Sequence, residues 1–195
     1  MPSTSIVARN LAFRPLTPER WPDLEKLFGE RGASAGCWCM FWRLPRSEFN
    51  RLSRDGHKKA FRSIVQANEP TGILAYSDDE PIGWCSVAPR ETFEALERSR
   101  NLRRVDEEPV WSIVCFFVAR PFRHGNLMVK LLEAAIEYAK IQGARIVEGY
   151  PTETKGLSHA GADLYSGVAS AFREVGFVAI RRTPRLIMRY FVEEN

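Results

Sequence analysis

Five residues able to hold an anion, Arg120, Arg123, His124, Gly125 and Asn126, stand together in the segment VWSIVCFFVARPFRHGNLMVKLLEAAIEYA, residues 110–139. Before them runs an apolar stretch rich in β-branched and aromatic side chains; after them comes a helical pattern. A strand that enters a helix through such a turn leaves the first helical N–H groups without carbonyl partners, and the helix dipole adds about half a positive charge. Gly125 permits close backbone approach, Asn126 tolerates the left-handed region, and Arg120, Arg123 and His124 supply cationic donors. These residue types suit a phosphate or pyrophosphate. Their spacing matches neither the P-loop nor the GxGxxG fingerprint.

A second set offers acid–base and ligand-binding side chains. Glu148 in RIVEGYP is a carboxylate inside an apolar run, with Tyr150 two residues on. Trp38, Phe41, Trp42 and Arg43 in CWCMFWR suit a planar or acidic group: aromatic walls and one guanidinium. Cys37 and Cys39 have no second Cys/His pair at zinc-finger spacing, so no metal is expected. His57, His124 and His159 show no spacing that would complete a Ser-His-Asp set.

The elements that must position these residues follow from periodicity and breakers. IVARNLAFRPLT reads as a first strand, and Thr17 followed by Pro18 as a helix start. Residues 47–68 predict one broken or two short helices, interrupted near Asp55-Gly56. GILAYSDDEPIGWCSVA predicts a hairpin about Asp78-Asp79-Glu80. A short helix near 90–100 precedes the strand at 110–118, and the helix after it stops at Gly143. ARIVEGYP is a further strand, VASAFREVG a short helix, and residues 177–192 two strands broken at Thr183-Pro184. Hairpins require antiparallel pairs and the strand–helix–strand unit at 110–150 a parallel one, so the class is α/β with a mixed sheet.

The segment 110–139 resembles the acetyl-CoA-binding motif of the GNAT (general N-acetyltransferase) superfamily, a strand leading into R/Q-x-x-G-x-G/A and a Leu/Ala-rich helix. In that register Val118 ends the strand, Arg123 takes the R/Q position, and Asn126 and Met128 stand where the two glycines fall. ASAFREVGF, residues 169–177, resembles the superfamily's second anchor. GCWCMFWR, PIGWCSVAPRETF, VCFFVARPFR and RIVEGYP are similar to a subgroup without an assigned acceptor. The resemblance implies a single domain over 1–195 with a mixed, mostly antiparallel sheet of about 6–7 strands. A central parallel pair splays apart, and helices cover both faces.

The resemblance further implies that acetyl-CoA is the co-substrate. Its contacts would be Phe116, Phe117 and Val118 on the strand and Arg123, His124, Gly125, Asn126, Leu127 and Met128 at the turn, with a backbone N–H of Phe117 or Val118 polarising the thioester carbonyl. Relatives that acetylate histones carry a glutamate six residues before the strand-end valine, a position held here by Ser112, and the frequent tyrosine acid falls on Phe172. Glu148, Ser112 and Tyr150 are therefore the catalytic candidates, and Trp38, Phe41, Trp42 and Arg43 the acceptor contacts. The implied reaction is direct transfer of acetyl to a primary amine of a small molecule or peptide in a ternary complex. The alternative is a non-catalytic acyl-CoA sensor.

With 45% hydrophobic residues the 195-residue chain can bury a substantial core. The net charge of +4 is dispersed among acidic residues, which argues against a nucleic-acid partner. No run is long and apolar enough for a membrane span, and the start lacks the regions of a signal peptide. A cytoplasmic monomer or homodimer is expected, its four cysteines reduced.

Overall fold

Seven of the apolar runs pair into one sheet: β1 (Leu11–Pro15), β2 (Gly72–Ser77), β3 (Glu80–Pro89), β4 (Trp111–Val118), β5 (Ile146–Gly149), β6 (Val178–Arg181) and β7 (Ile187–Phe191), in the order β1-β2-β3-β4-β5-β7-β6. The computed structural model describes residues 8–123, 126–153 and 165–193. Every neighbouring pair is antiparallel except β4 with β5. The β2–β3 hairpin turns on Asp78 and Asp79, whose φ values of 48° and 65° give the doubly left-handed geometry that matches strand twist.

The helices are α1 (Trp21–Phe28), α2 (Arg46–Arg51), α3 (Arg54–Gln66), α4 (Glu94–Glu97), α5 (Leu127–Ile141) and α6 (Ala169–Glu174). Helix α5 repeats buried residues every fourth position, Leu127, Leu131, Ala135 and Ala139, and with α6 it covers one face of the sheet. Helices α1 and α3 cover the other face over β2 and β3 through a cluster built on Trp21, Phe28, Trp38, Phe61 and Trp84. Phe93, Leu96 and Leu102, from the connection between β3 and β4, cover that same face over Val114 and Ile187. No described helix is long and apolar enough to cross a membrane.

The break expected at Asp55-Gly56 falls instead at Leu52-Ser53. The Ser53 side chain accepts from the Gly56 N–H at 3.2 Å, so α3 starts at Arg54 and absorbs Gly56 in its first turn. Pro18 begins a 3-10 turn over Pro18–Arg20 that leads into α1.

Strand β4 is irregular along both of its edges. Its register with β3 steps from Ser86↔Cys115 to Val87↔Ile113, so Val114 is an extra residue. Strand alternation slips there, and Val114 and Cys115 both reach the face covered by the β3–β4 connection. With β5 the pairing spans only Trp111↔Val147, Ser112↔Glu148 and Ile113↔Gly149, while β4 runs on to Val118. Beyond Gly149 the chain bridges Thr152 to Val168 instead, so the two strands diverge.

Candidate active site

The registers place Ala88, Ser112, Glu148 and Arg189 in one row across β3, β4, β5 and β7, one rung before the pairing of β4 with β5 ends. Arg90 reaches this row from the turn after β3, and Tyr150 from the residue that follows Gly149. Glu148 is fully buried. Its Oε1 accepts from an Arg90 NH nitrogen and from the Tyr150 hydroxyl, each at 2.8 Å, and its Oε2 accepts from Arg189 Nε at 2.8 Å. The Tyr150 oxygen lies 2.7 Å from Ser112 Oγ and accepts from Arg90 at 2.7 Å.

An outer ring completes the network. Arg90 Nε donates to Glu97 at 2.5 Å, and Arg189 binds both oxygens of Asp106 at 2.6 and 3.0 Å. Arg104 Nε donates to the other Glu97 oxygen at 2.8 Å, so Arg90, Arg189 and Arg104 balance Glu148, Glu97 and Asp106, the condition for burying such charge at tolerable cost. Burial works against the Arg90 charge, but Tyr150, Glu148 and Glu97 outweigh it and raise its pKa; Asp106 and Glu148 do the same for Arg189. Burial, joined by the Glu148 charge, pushes the Tyr150 hydroxyl well above the usual phenol range.

All three catalytic candidates therefore meet in one hydrogen-bonded chain. Arg90, Arg189, Glu97 and Asp106 were not anticipated. The available signal was Glu148 itself, because a carboxylate inside an apolar strand demands buried counter-charge, and LIMRYF carries an arginine in the same apolar setting. Glu91, Glu107 and Glu108, the acids near the β3–β4 connection that do not join the network, are exposed. Phe172, at the position of the tyrosine acid, is core: its ring packs against Phe116 and Phe177 and fills the space beside Gly149 and Gly167.

The turn expected to hold an anion follows the other end of β4. The Ala119 N–H donates to the Ile82 carbonyl at 2.9 Å, so strand alternation points the Phe117 N–H toward β3 as well. The same alternation turns the backbone groups of Phe116 and Val118 to the edge that β5 has left. Of the expected pair, Val118 therefore faces that edge and Phe117 does not, and Phe116 faces it too. Arg123, exposed, donates from Nε to the Val118 carbonyl at 2.9 Å. Asn126 precedes α5 without a side-chain cap, and among the described residues the first-turn amides from Leu127 to Val129 form a donor set suited to a diphosphate. Met128, standing where the family motif has a small residue, packs against the core cluster beneath α5. His124 and Gly125, and also His159, lie outside the described residues.

The acceptor candidates divide. Trp38 belongs to the core, 3% exposed, stacked on Trp21 at 5.9 Å and packed on Phe28. The positive φ values from Ala33 to Cys39 coil this segment so that its indole turns inward. Phe41 and Trp42 are half-buried and meet edge to face at 5.1 Å, with Tyr165 at 6.3 Å from Phe41 and the Arg46 guanidinium 3.9 Å over the Phe41 ring. Arg43 is buried, and burial lowers its pKa to about 10.

The profile of the Acetyltransferase (GNAT) family matches residues 38–155, more than half of the chain. No curated protein matches the sequence. Solved structures share the fold at low identity. An N-acetyltransferase, PaiA, from Thermoplasma acidophilum in complex with coenzyme A is 13% identical, with TM-score 0.51 over 94% of this chain and 99% of that one. A GNAT-family acetyltransferase from Streptococcus pneumoniae is 13% identical, with TM-score 0.54 over 94% of this chain and 100% of its own. An aminoglycoside N-acetyltransferase in complex with coenzyme A is 16% identical, with TM-score 0.56 over 97% and 99%. The profile match across β2 to β5 and the parting of β4 from β5 agree, and the chain belongs to the GNAT family of acetyltransferases.

Proposed function

We propose that this chain is an acetyl-CoA-dependent N-acetyltransferase that passes an acetyl group to a primary amine of a small molecule or peptide by direct attack in a ternary complex. The observation that carries the reading is the loss of β4–β5 pairing after Ile113↔Gly149, on the strand that leads into the uncapped start of α5. Acetyl-CoA would supply an activated thioester. The amides of Leu127 to Val129, with Arg123, would hold its diphosphate, and His124, Gly125 and Asn126 complete the turn we assign to it. The backbone groups of Phe116 and Val118 would line the open edge, one N–H polarising a carbonyl there, an effect worth about 3 kcal/mol when preorganised.

Proton handling falls to Ser112, Tyr150 and Glu148. As the amine nitrogen bonds to the acetyl carbon, Ser112 Oγ would take its proton and give its own to the Tyr150 oxygen, and Tyr150 would hand its proton to Glu148 Oε1 along bonds of 2.7 and 2.8 Å. The C–S bond breaks, the coenzyme A thiolate leaves and takes a proton from solvent, and Glu148 returns its proton to solvent. Arg90, on the Tyr150 oxygen and Glu148, and Arg189, on Glu148, keep the relay aligned. Burial of Ser112, Tyr150 and Glu148 disfavours an ammonium beside them, so the site suits an amine that arrives neutral. Phe41, Trp42 and Arg43 are the acceptor contacts we retain. The four unpaired cysteines support a cytoplasmic location.

The test is release of coenzyme A thiol from acetyl-CoA across a panel of amines. Ser112→Ala and Tyr150→Phe should each lower kcat by about a hundredfold while coenzyme A affinity, measured by calorimetry, stays within about twofold. A second reading, an acyl-CoA sensor without turnover, draws on Glu148, whose lone pairs already accept from three partners. Tight coenzyme A binding with no thiol release on any amine would favour it.

A further inference from the structure

Three buried arginines lie on the face of the sheet opposite α5, and one of them has no acid paired with it among the described residues. Arg90 and Arg189 each meet two carboxylates. Arg43 is 5% exposed, and its one hydrogen bond is a long 3.3 Å contact from a terminal nitrogen to the Pro70 carbonyl. Its Nε is buried and has no acceptor among the described residues. The acid whose charge reaches it, Glu69, is exposed and forms no ion pair with it among the described residues. Phe93 at 4.7 Å and Phe61 at 5.9 Å lie against the guanidinium, so a further partner would have to meet its N–H edge.

Its position relates this cation to the proposed acyl-transfer site. Arg43 lies four residues after Cys39, whose thiol contacts Cys115 at the β4 bulge and accepts from Trp84 Nε1 at 3.0 Å. The adjoining Trp42 accepts at its carbonyl from the Ala95 N–H at 3.0 Å, which ties the segment to the β3–β4 connection. Phe61 and Phe93 belong to two different core clusters, so the guanidinium occupies the seam between them, and Cys115 packs against both clusters.

We propose that Arg43 receives a carboxylate carried by the amine acceptor, which makes the acceptor a small amino acid, in the broad sense of an amine bearing a carboxylate, rather than a polyamine or a lysine side chain. A planar carboxylate matches the guanidinium fork with two parallel bonds, and the rings that flank Arg43 favour an aromatic body behind that carboxylate. The inference rests on the acetyltransferase reading only in taking the bound amine to be the acceptor.

The probes are 4-aminobenzoate and 4-aminobenzamide, alike in shape and different in charge, titrated calorimetrically into the full chain with and without coenzyme A. The acid should bind about tenfold or more tightly than the amide. Arg43→Met should abolish that difference, and Arg43→Lys should keep part of it. Equal affinity for the two probes, no binding of the acid, or a preference that survives Arg43→Met would overturn the assignment. Should Arg43→Met fail to fold, the wild-type comparison and Arg43→Lys still decide. Failure of coenzyme A to bind, or of every amine to release thiol, strikes the acetyltransferase reading instead, because the probe titration needs neither turnover nor coenzyme.

Discussion

Glu148 is held by partners that need it as much as it needs them. Replacing it with glutamine leaves Arg90 and Arg189 buried with one anion fewer, and the loss from breaking such a pair is about 3–5 kcal/mol. Urea denaturation of Glu148→Gln should show a drop of that size. Arg90→Met should cost a similar amount, and the double variant distinctly less than the sum, because both remove the same bonds. The outer acids govern the pH response. Hydrogen bonds from Arg189 hold the Asp106 carboxyl below its ordinary 3.8; burial opposes the Glu97 charge, but Arg104 and Arg90 hold that carboxyl below its ordinary 4.5. Folded-state values that lie below the unfolded ones give stability present above about pH 4.5 and lost progressively as pH falls through the folded values. Thermal melts of wild type against Asp106→Asn should converge in acid and diverge toward neutrality. At this scale the sequence revealed that Glu148, Ser112 and Tyr150 were worth grouping, since residue type and family register are local information. It hid Arg90 and Arg189, which meet Glu148 only after separations of 58 and 41 residues, and it hid the inward turn of Trp38, which depends on a run of positive φ values.

Elements are constrained where their backbones approach side chains closely. A Cβ on Gly149 would stand 2.2 Å from the Phe172 ring, so the end of β5 can lie over α6 only because that residue has no side chain. Gly149→Ala should destabilise by about 1–3 kcal/mol as the ring or the strand shifts, and Phe172→Leu in the same chain should recover part of the loss, read as a gain in urea midpoint. Ser53→Ala removes the cap of α3 and should cost about 1 kcal/mol. The helix break differs from its expected place for the same reason: a serine side chain satisfying the start of a helix outweighs an interior glycine three residues on, and a pattern of residue types ranks the two the other way. Strand existence and the hairpin at Asp78-Asp79 were legible because turn chemistry and periodicity are local. The insertion of β7 between β5 and β6 was not, since pairing order is decided by contacts across the sheet.

Across the whole molecule, the described core is three apolar clusters divided between the two sheet faces, and the network at Glu148 joins strands from both halves of the sheet to the connection that lies over them. A ligand that spans the open edge of β4 and the start of α5 should stabilise the fold by mass action. Coenzyme A at a hundred times its dissociation constant should add about 2.7 kcal/mol, visible as a rise in Tm, and Arg123→Ala should diminish the rise at fixed coenzyme concentration. The three parallel rungs between β4 and β5 also make the sheet mechanically uneven. Pulled apart by force applied at β1 and β6, the domain would tear first along that short seam, and a nucleotide lodged across it would act as a rivet, raising the rupture force without altering any covalent part of the chain.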